Sequence, residues 1–348
     1  MHFEFSPAER AFAEEVRSFL RAHPPATFPI DGMDAGYGSG AHSRPFLRAL
    51  ADQGWLSLTW PRAFGGQERP LTHKLLLFEE LAAAAAPFGP LAGCDQTAEG
   101  IIRYGSEHLR REVLPRIARG EATFWQGFSE PNSGSDLASV DNATPGMDIR
   151  PIRSLTGEVY HYEVFLDEVR VPAECLLGKE GEGFTQLLRG LDTDRFWGRF
   201  YKAPMLRRVL DELVRHANET TRNGVPLARD SAIRRRLASL ATEIEAVRLL
   251  FYRIGWMLQE GLPTPYETAL CKVMADELGQ AVAAFGMEML GLYAPLTQDS
   301  RSAKLRGSIQ HLYQTSMGQT IAGGTSEVLR STVATRGLGL PSEPRVRD

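Results

Sequence analysis

The chain is poor in cysteine, has no long apolar run and carries no strong excess of charge. Its three cysteines, Cys94, Cys175 and Cys271, are scattered over 348 residues. They show no paired spacing, so neither a disulfide framework nor a thiolate metal cluster is expected, and the composition suits a reducing cytoplasm. No stretch reaches the roughly 18 consecutive apolar residues of a membrane-spanning helix. The opening MHFEFSPAERAFAEEVRSFLRAH is too charged for a secretory leader. Lysine and arginine number 39 against 43 aspartate and glutamate, a net charge of -4, with no basic block. No nucleic-acid footprint follows. The RRR run at 234–236 sits within a helical pattern and reads as a solvated face.

What is present is an ordinary globular balance, 43% hydrophobic and 24% charged, long enough for two or three domains. Ser6-Pro7-Ala8-Glu9 reads as a helix start, with Ser6 as cap and Pro7 in the first turn. Phe12, Val16, Phe19 and Leu20 then recur at the spacing of one helix face. After a Gly/Pro-rich loop, helices are expected over 44–53, 71–85 and 107–121, the last bent or divided at Pro115. Near Ala122 the pattern changes. DIRPIRS and EVYHYEVFLDEVRVP alternate apolar and polar residues and read as strands. Beyond Gly183 the helical pattern returns, with long helices expected over 184–218, 230–260, 265–292 and 303–319 and a last one after Gly323-Gly324. Their short connections predict an antiparallel bundle.

The chain therefore divides into an N-terminal helical domain (1–122), a short β segment (123–180) and a C-terminal helical bundle (181–348). A β segment of this length has difficulty burying a core of its own.

Four blocks, in order, resemble the acyl-CoA dehydrogenases: WPRAFGGQ followed by LFEELAAAAAP, FWQGFSEPNSGSDLAS, LTGEVYHYEVFLDEVRVPAECLLGKEGEGF, and TIAGGTSEVLRSTVATRGLGLP. The resemblance spans nearly the whole chain and looks most like a bacterial branch handling acyl-CoA or steroid side-chain thioesters. It implies a mostly α fold: a helical domain, a middle β-domain and an antiparallel four-helix bundle. It also implies FAD, an acyl-CoA substrate, an electron-transfer flavoprotein or similar acceptor, and a homo- or hetero-oligomer (dimer or tetramer). The implied reaction is α,β-dehydrogenation. A carboxylate takes the α-proton while the β-hydrogen leaves as hydride, and the thioester oxygen needs donors for its developing charge.

The site residues come from the same resemblance. Phe128 and Ser129 contact the flavin, and Ser135 faces the pantetheine arm. Thr325 and Glu327 approach FAD. Gly323 and Gly324 permit close backbone approach, and the Gly323 N–H supplies one oxyanion donor. Read from chemistry alone, the same AGGTSE stretch is an ordinary capped helix. Many family members place the base glutamate where Gly323 stands, a position with no side chain here. Others carry it on the first long bundle helix, where this chain has GLDTDRFWGRF. Asp194 falls at that place, followed by Arg195 toward the substrate. Asp is one methylene shorter than Glu, about 1.5 Å less reach, and its bland reading is an ion-paired helix carboxylate. Arg222 matches an arginine that reaches a neighbouring subunit's FAD pyrophosphate, and guanidinium suits that role; otherwise it is a surface arginine.

One departure stands out. Between SDLAS and TPG the family runs through several strands, whereas here Ser139 is followed almost at once by Thr144-Pro145-Gly146. The middle domain is expected to be truncated, with open strand edges. Three readings follow: a working dehydrogenase with a reduced middle domain, a non-catalytic subunit that pairs with a complete partner, or a scaffold that has lost flavin or base.

Overall fold

A computed structural model of the chain describes residues 4–25, 43–122, 124, 146–157 and 159–342. These divide into two compact units. One comprises Ser18–Lys74 and Ala86–Gly190, the other Met1–Arg17, Leu75–Ala85 and Leu191–Asp348. The helices are α1 (Pro7–Ala22), α2 (Ser43–Asp52), α3 (Leu71–Ala83), α4 (Gly89–Tyr104), α5 (Glu107–Glu112), α6 (Leu114–Ala118), α7 (Gly183–Phe200), α8 (Lys202–Glu219), α9 (Ser231–Gln259), α10 (Glu267–Leu290), α11 (Ser308–Gln319) and α12 (Ser326–Thr332). The fold is mostly α, as expected.

In the first unit α2, α4, α5 and α6 pack together around Trp60, Cys94, Ala98, Ile101, Leu114 and Ile117. Ser106 caps α5 by accepting from the Leu109 N–H at 3.2 Å, and Pro115 opens α6, so the 107–121 segment is divided near Pro115. Helix α4 has no counterpart in the sequence reading. Gly89, Pro90, Gly93 and Gly100 dilute its apolar period, and Pro90 is tolerated because the first turn needs no N–H donor. In the FGG loop, a Cβ on Gly66 would lie 2.0 Å from the Trp60 carbonyl oxygen, so only glycine fits this turn.

The same unit carries one antiparallel hairpin. β1 (Met147–Arg153) pairs with β2 (Val159–Leu166), Met147 opposite Leu166 and Ile152 opposite His161. Ile152, Tyr162, Val164, Phe165 and Leu166 are all exposed on it. Two strands have too little area to bury such side chains, and among the described residues no third strand pairs with them.

In the second unit α8, α9, α10 and α11 form the bundle, with α10 at its centre against α8, α9, α11 and α12. Phe196, Phe200 and Phe251 interlock as an aromatic core, ring centroids 5.4–6.1 Å apart. The expected helix over 184–218 is in fact two, parted at Tyr201. Pro204 has no N–H to bond the Phe200 carbonyl, which breaks the ladder there. The α8–α9 connection is a hairpin, β3 (Thr221–Arg222) against β4 (Val225–Pro226). Asn223 and Gly224 between them both have positive φ, 53° and 78°, the type I′ geometry that Asn-Gly favours. Asp230 then caps α9, accepting from the Ala232 N–H at 2.8 Å and the Ile233 N–H at 3.3 Å.

Two substitutions test these local assignments. Asp230→Ala lowers stability by about 1 kcal/mol in urea unfolding. Gly66→Ala costs roughly 2–3 kcal/mol, because its new methyl must displace backbone rather than a flexible side chain.

Candidate active site

The loop that joins α11 to α12 is held from below by buried cations. Asp276 on α10 is fully buried and accepts from Arg199 Nε at 3.0 Å, from Lys202 Nζ, and from Lys272 Nζ at 3.0 Å. Lys202 and Lys272 are themselves 1% and 0% exposed. The partners hold the Asp276 carboxyl below the ordinary range, although burial alone would raise it. Burial lowers Lys272.

Each cation also reaches the loop or its approach. Lys272 Nζ donates to the Gln319 carbonyl at 3.0 Å and to the Gly324 carbonyl at 2.7 Å. Arg199 Nη2 donates to the Ala322 carbonyl at 3.3 Å. Lys202 donates to Gln319 Oε1. Arg195, from α7, donates through Nε to the Gly323 carbonyl at 3.2 Å. Gly323 and Gly324 take φ of 72° and 101°, left-handed values that side chains rarely adopt and glycine adopts freely. Thr325 caps α12, its hydroxyl accepting from the Val328 N–H at 3.3 Å, and Arg330 ties α12 to Glu277 of α10 at 2.5 Å.

Of the residues singled out from sequence, the structure brings Arg195, Gly323, Gly324 and Thr325 to one place. Glu327 is exposed beside them, its carboxyl held below the usual range by its own backbone N–H and the Thr325 hydroxyl. Asp194 lies on α7 directly before Arg195, but its side chain is outside the described ones. Arg222 is exposed on the β3–β4 hairpin. Phe128, Ser129 and Ser135 lie outside the described residues. Sequence reading missed Lys202, Lys272 and Asp276. Lys272 and Asp276 stand four residues apart on one face of α10, a visible pair, but nothing in the sequence showed that this face is buried.

Cys94 and Cys271 are buried thiols away from solvent. Burial pushes the Cys94 thiol up to about 12 and the Cys271 thiol well above its ordinary value. Among the described residues no group of three metal-ligating side chains occurs, and no helix is long and apolar enough to cross a membrane. A separate cleft of about 490 Å³ in the bundle unit is lined by charges largely matched to each other, among them Arg17 with Glu80 and Arg207 with Asp211.

Two family models match the chain: "Acyl-CoA dehydrogenase, N-terminal domain" over residues 6–121 and "Acyl-CoA dehydrogenase, C-terminal domain" over 181–338. The chain belongs to the acyl-CoA dehydrogenase family. It is similar to acyl-CoA dehydrogenase FadE26 of Mycobacterium tuberculosis, 25% identical, covering 99% of this chain and 100% of the relative. Among solved structures it resembles "Tcur3481-Tcur3483 steroid ACAD" (TM-score 0.84, 23% identity, 99% of this chain and 100% of the other). It also resembles the ChsE4-ChsE5 complex of M. tuberculosis (TM-score 0.84, 24% identity, with the same coverage). The FadE26 alignment runs over 407 positions, whereas this acyl-CoA dehydrogenase has 348 residues. The relative thus holds positions without counterpart here. The two family matches leave 122–180 between them, which includes the SDLAS–TPG junction.

Members of the family are FAD flavoproteins that oxidise acyl-CoA thioesters across the α,β bond. The described residues fit such a cofactor and substrate at the α11–α12 loop. Its glycines present backbone without side chains, and the buried cations beneath make the surroundings favourable to negative charge.

The carboxylate of Asp276 is the electrostatic centre of this arrangement. Its lowered folded value means that the unfolded chain binds the proton more tightly. Its stabilisation is therefore complete above the ordinary aspartate range and is lost as pH falls through the lowered value. Asp276→Asn is expected to cost about 3–5 kcal/mol at neutral pH, since it leaves buried cations without their carboxylate. The gap between wild type and variant in urea unfolding stays level from about pH 8 to 5 and closes below about pH 4.

Proposed function

We propose that the chain works as an FAD-dependent dehydrogenase of a bulky acyl-CoA, a fatty or steroid side-chain thioester. Asp194 is its base and the Gly323 N–H is a donor to the thioester oxygen. The observation that carries this reading is the Arg195–Gly323 hydrogen bond. It ties the helix bearing Asp194 to the loop bearing the oxyanion donor, 128 residues further along the chain. The steroid assignment rests on the printed title of one similar structure, a steroid acyl-CoA dehydrogenase.

In this reading Asp194 removes the α-proton and the Gly323 N–H bears the charge that develops on the thioester oxygen. Arg199 holds the Ala322 carbonyl of the peptide that carries the Gly323 N–H, Arg195 holds the carbonyl of the next peptide, and both place positive charge beside the donor. When bound, FAD accepts the β-hydrogen as hydride. Thr325 and Glu327 would hold FAD beside the loop, Phe128 and Ser129 would contact its ring, and Ser135 would meet the pantetheine arm. Arg222, exposed on a hairpin tip, suits the pyrophosphate of a neighbouring subunit's cofactor, which requires an oligomer. An electron-transfer flavoprotein or similar cytoplasmic acceptor would take the electrons from the reduced cofactor. The working division is 1–122, 123–180 and 181–348.

A second reading draws on the exposed apolar ribbon β1–β2. There the chain is a non-catalytic subunit whose ribbon is covered by a complete homologous partner.

Purification decides between them. A yellow protein whose visible flavin band bleaches anaerobically with an acyl-CoA supports the first reading. A colourless protein that becomes yellow only with a co-expressed homologue supports the second. In the first case Asp194→Asn abolishes bleaching while FAD is retained. Unchanged reduction kinetics in that variant would remove Asp194 from the reaction.

A further inference from the structure

We infer that the Lys272–Asp276 pair is a positioning device for an anion-binding backbone nest formed by the N–H groups of Gly323, Gly324 and Thr325. This deepens the dehydrogenase reading and rests on it for the identity of the anion, the thioester oxygen as it gains charge.

Peptide geometry leads there. In a trans peptide the carbonyl of one residue and the N–H of the next point to opposite edges of one plane, and no cis bond occurs among the described residues. The Ala322 carbonyl is turned to Arg199, the Gly323 carbonyl to Arg195 and the Gly324 carbonyl to Lys272. Three consecutive carbonyls are thus committed to cations. The N–H groups of Gly323, Gly324 and Thr325 therefore lie on the opposite edges of those three planes. The two positive-φ glycines turn the stretch, and successive N–H groups in a turn form an anion-binding concavity.

The cations hold the carbonyls only if they are held themselves. Lys272 and Arg199 both rest on Asp276, and Lys202 links the same carboxylate to the Gln319 side chain at the end of α11. All four of these side chains are buried, so their geometry is set by packing as well as charge. Asp276 and Lys272 act through the backbone. They fix where its donors stand before charge develops, which is how preorganised donors accelerate a reaction.

Lys272→Met tests this in the full chain. It releases the Gln319 and Gly324 carbonyls while Arg199 and Lys202 stay on Asp276. Hydrogen exchange followed by mass spectrometry is expected to quicken on the order of tenfold in peptides covering 319–328, with peptides from α8 and α9 unchanged. With an acyl-CoA that the wild type oxidises, kcat falls about tenfold to a hundredfold with KM little moved and the flavin band retained. Lys272→Arg, which keeps a cation, recovers most of the loss. Should Lys272→Met fail to fold, Arg199→Gln releases the Ala322 carbonyl and is read through the same peptides. Exchange that is unchanged at 319–328, or raised evenly through the bundle, overturns the proposal, as does an unaltered kcat despite local loosening. A wild type inactive toward every acyl-CoA sinks the dehydrogenase reading, and the exchange result then decides the positioning by itself.

Discussion

The carboxylate of Asp276 holds Arg199, Lys202 and Lys272 inside the bundle, and the α11–α12 loop depends on that grip. Burying cations around a carboxylate is costly, and such a cluster persists only where the remaining donors find partners. Here they find backbone carbonyls at Gln319, Ala322 and Gly324. The electrostatics of the core and the shape of the loop are thus one problem with one solution. Loosening either side leaves buried polar groups unsatisfied, which resists drift in a segment that also contains two conformationally free glycines.

The middle of the chain is governed by the opposite constraint. A two-stranded ribbon has too little area to bury its apolar side chains, and Val164, Phe165 and Leu166 stay exposed. The alignment with FadE26 runs over 407 positions, more than the 348 residues of this chain. A family that builds its flavin wall from several strands is here represented by one hairpin among the described residues. The charged cluster around Asp276 lies wholly within the bundle unit, apart from this ribbon.

Much of the fold was legible because its signals are local. The helix start at Asp230 and the division near Pro115 each act through their own backbone; the Asn223-Gly224 hairpin is just as local but was not singled out from sequence. The strand alternation over 147–166 was equally direct, although the second strand stops at Leu166, short of the full apolar run. The misses have the same origin. Helix α4 is rich in glycine and opens on Gly-Pro, so its local signal is weak and its packing against α2 and α6 carries it. The break at Tyr201 was hidden because apolar spacing continues across it, and only the missing N–H of Pro204 marks it.

For the site, sequence by itself determined the family motifs, the glycine pair, a hydroxyl cap at Thr325 or Ser326, and the absence of a glutamate at position 323; the structure chose Thr325. Those are properties of residue type and order. It also placed Asp194 beside Arg195 on one helix. Only the tertiary structure decided that Arg195 reaches the Gly323 carbonyl, and that the Lys272–Asp276 face of α10 turns inward beneath the loop. A charged pair four residues apart reads identically on a solvated helix and on a buried one. Burial is set by what packs against that face, and here the partners come from α7, α8 and α11, all distant in the chain.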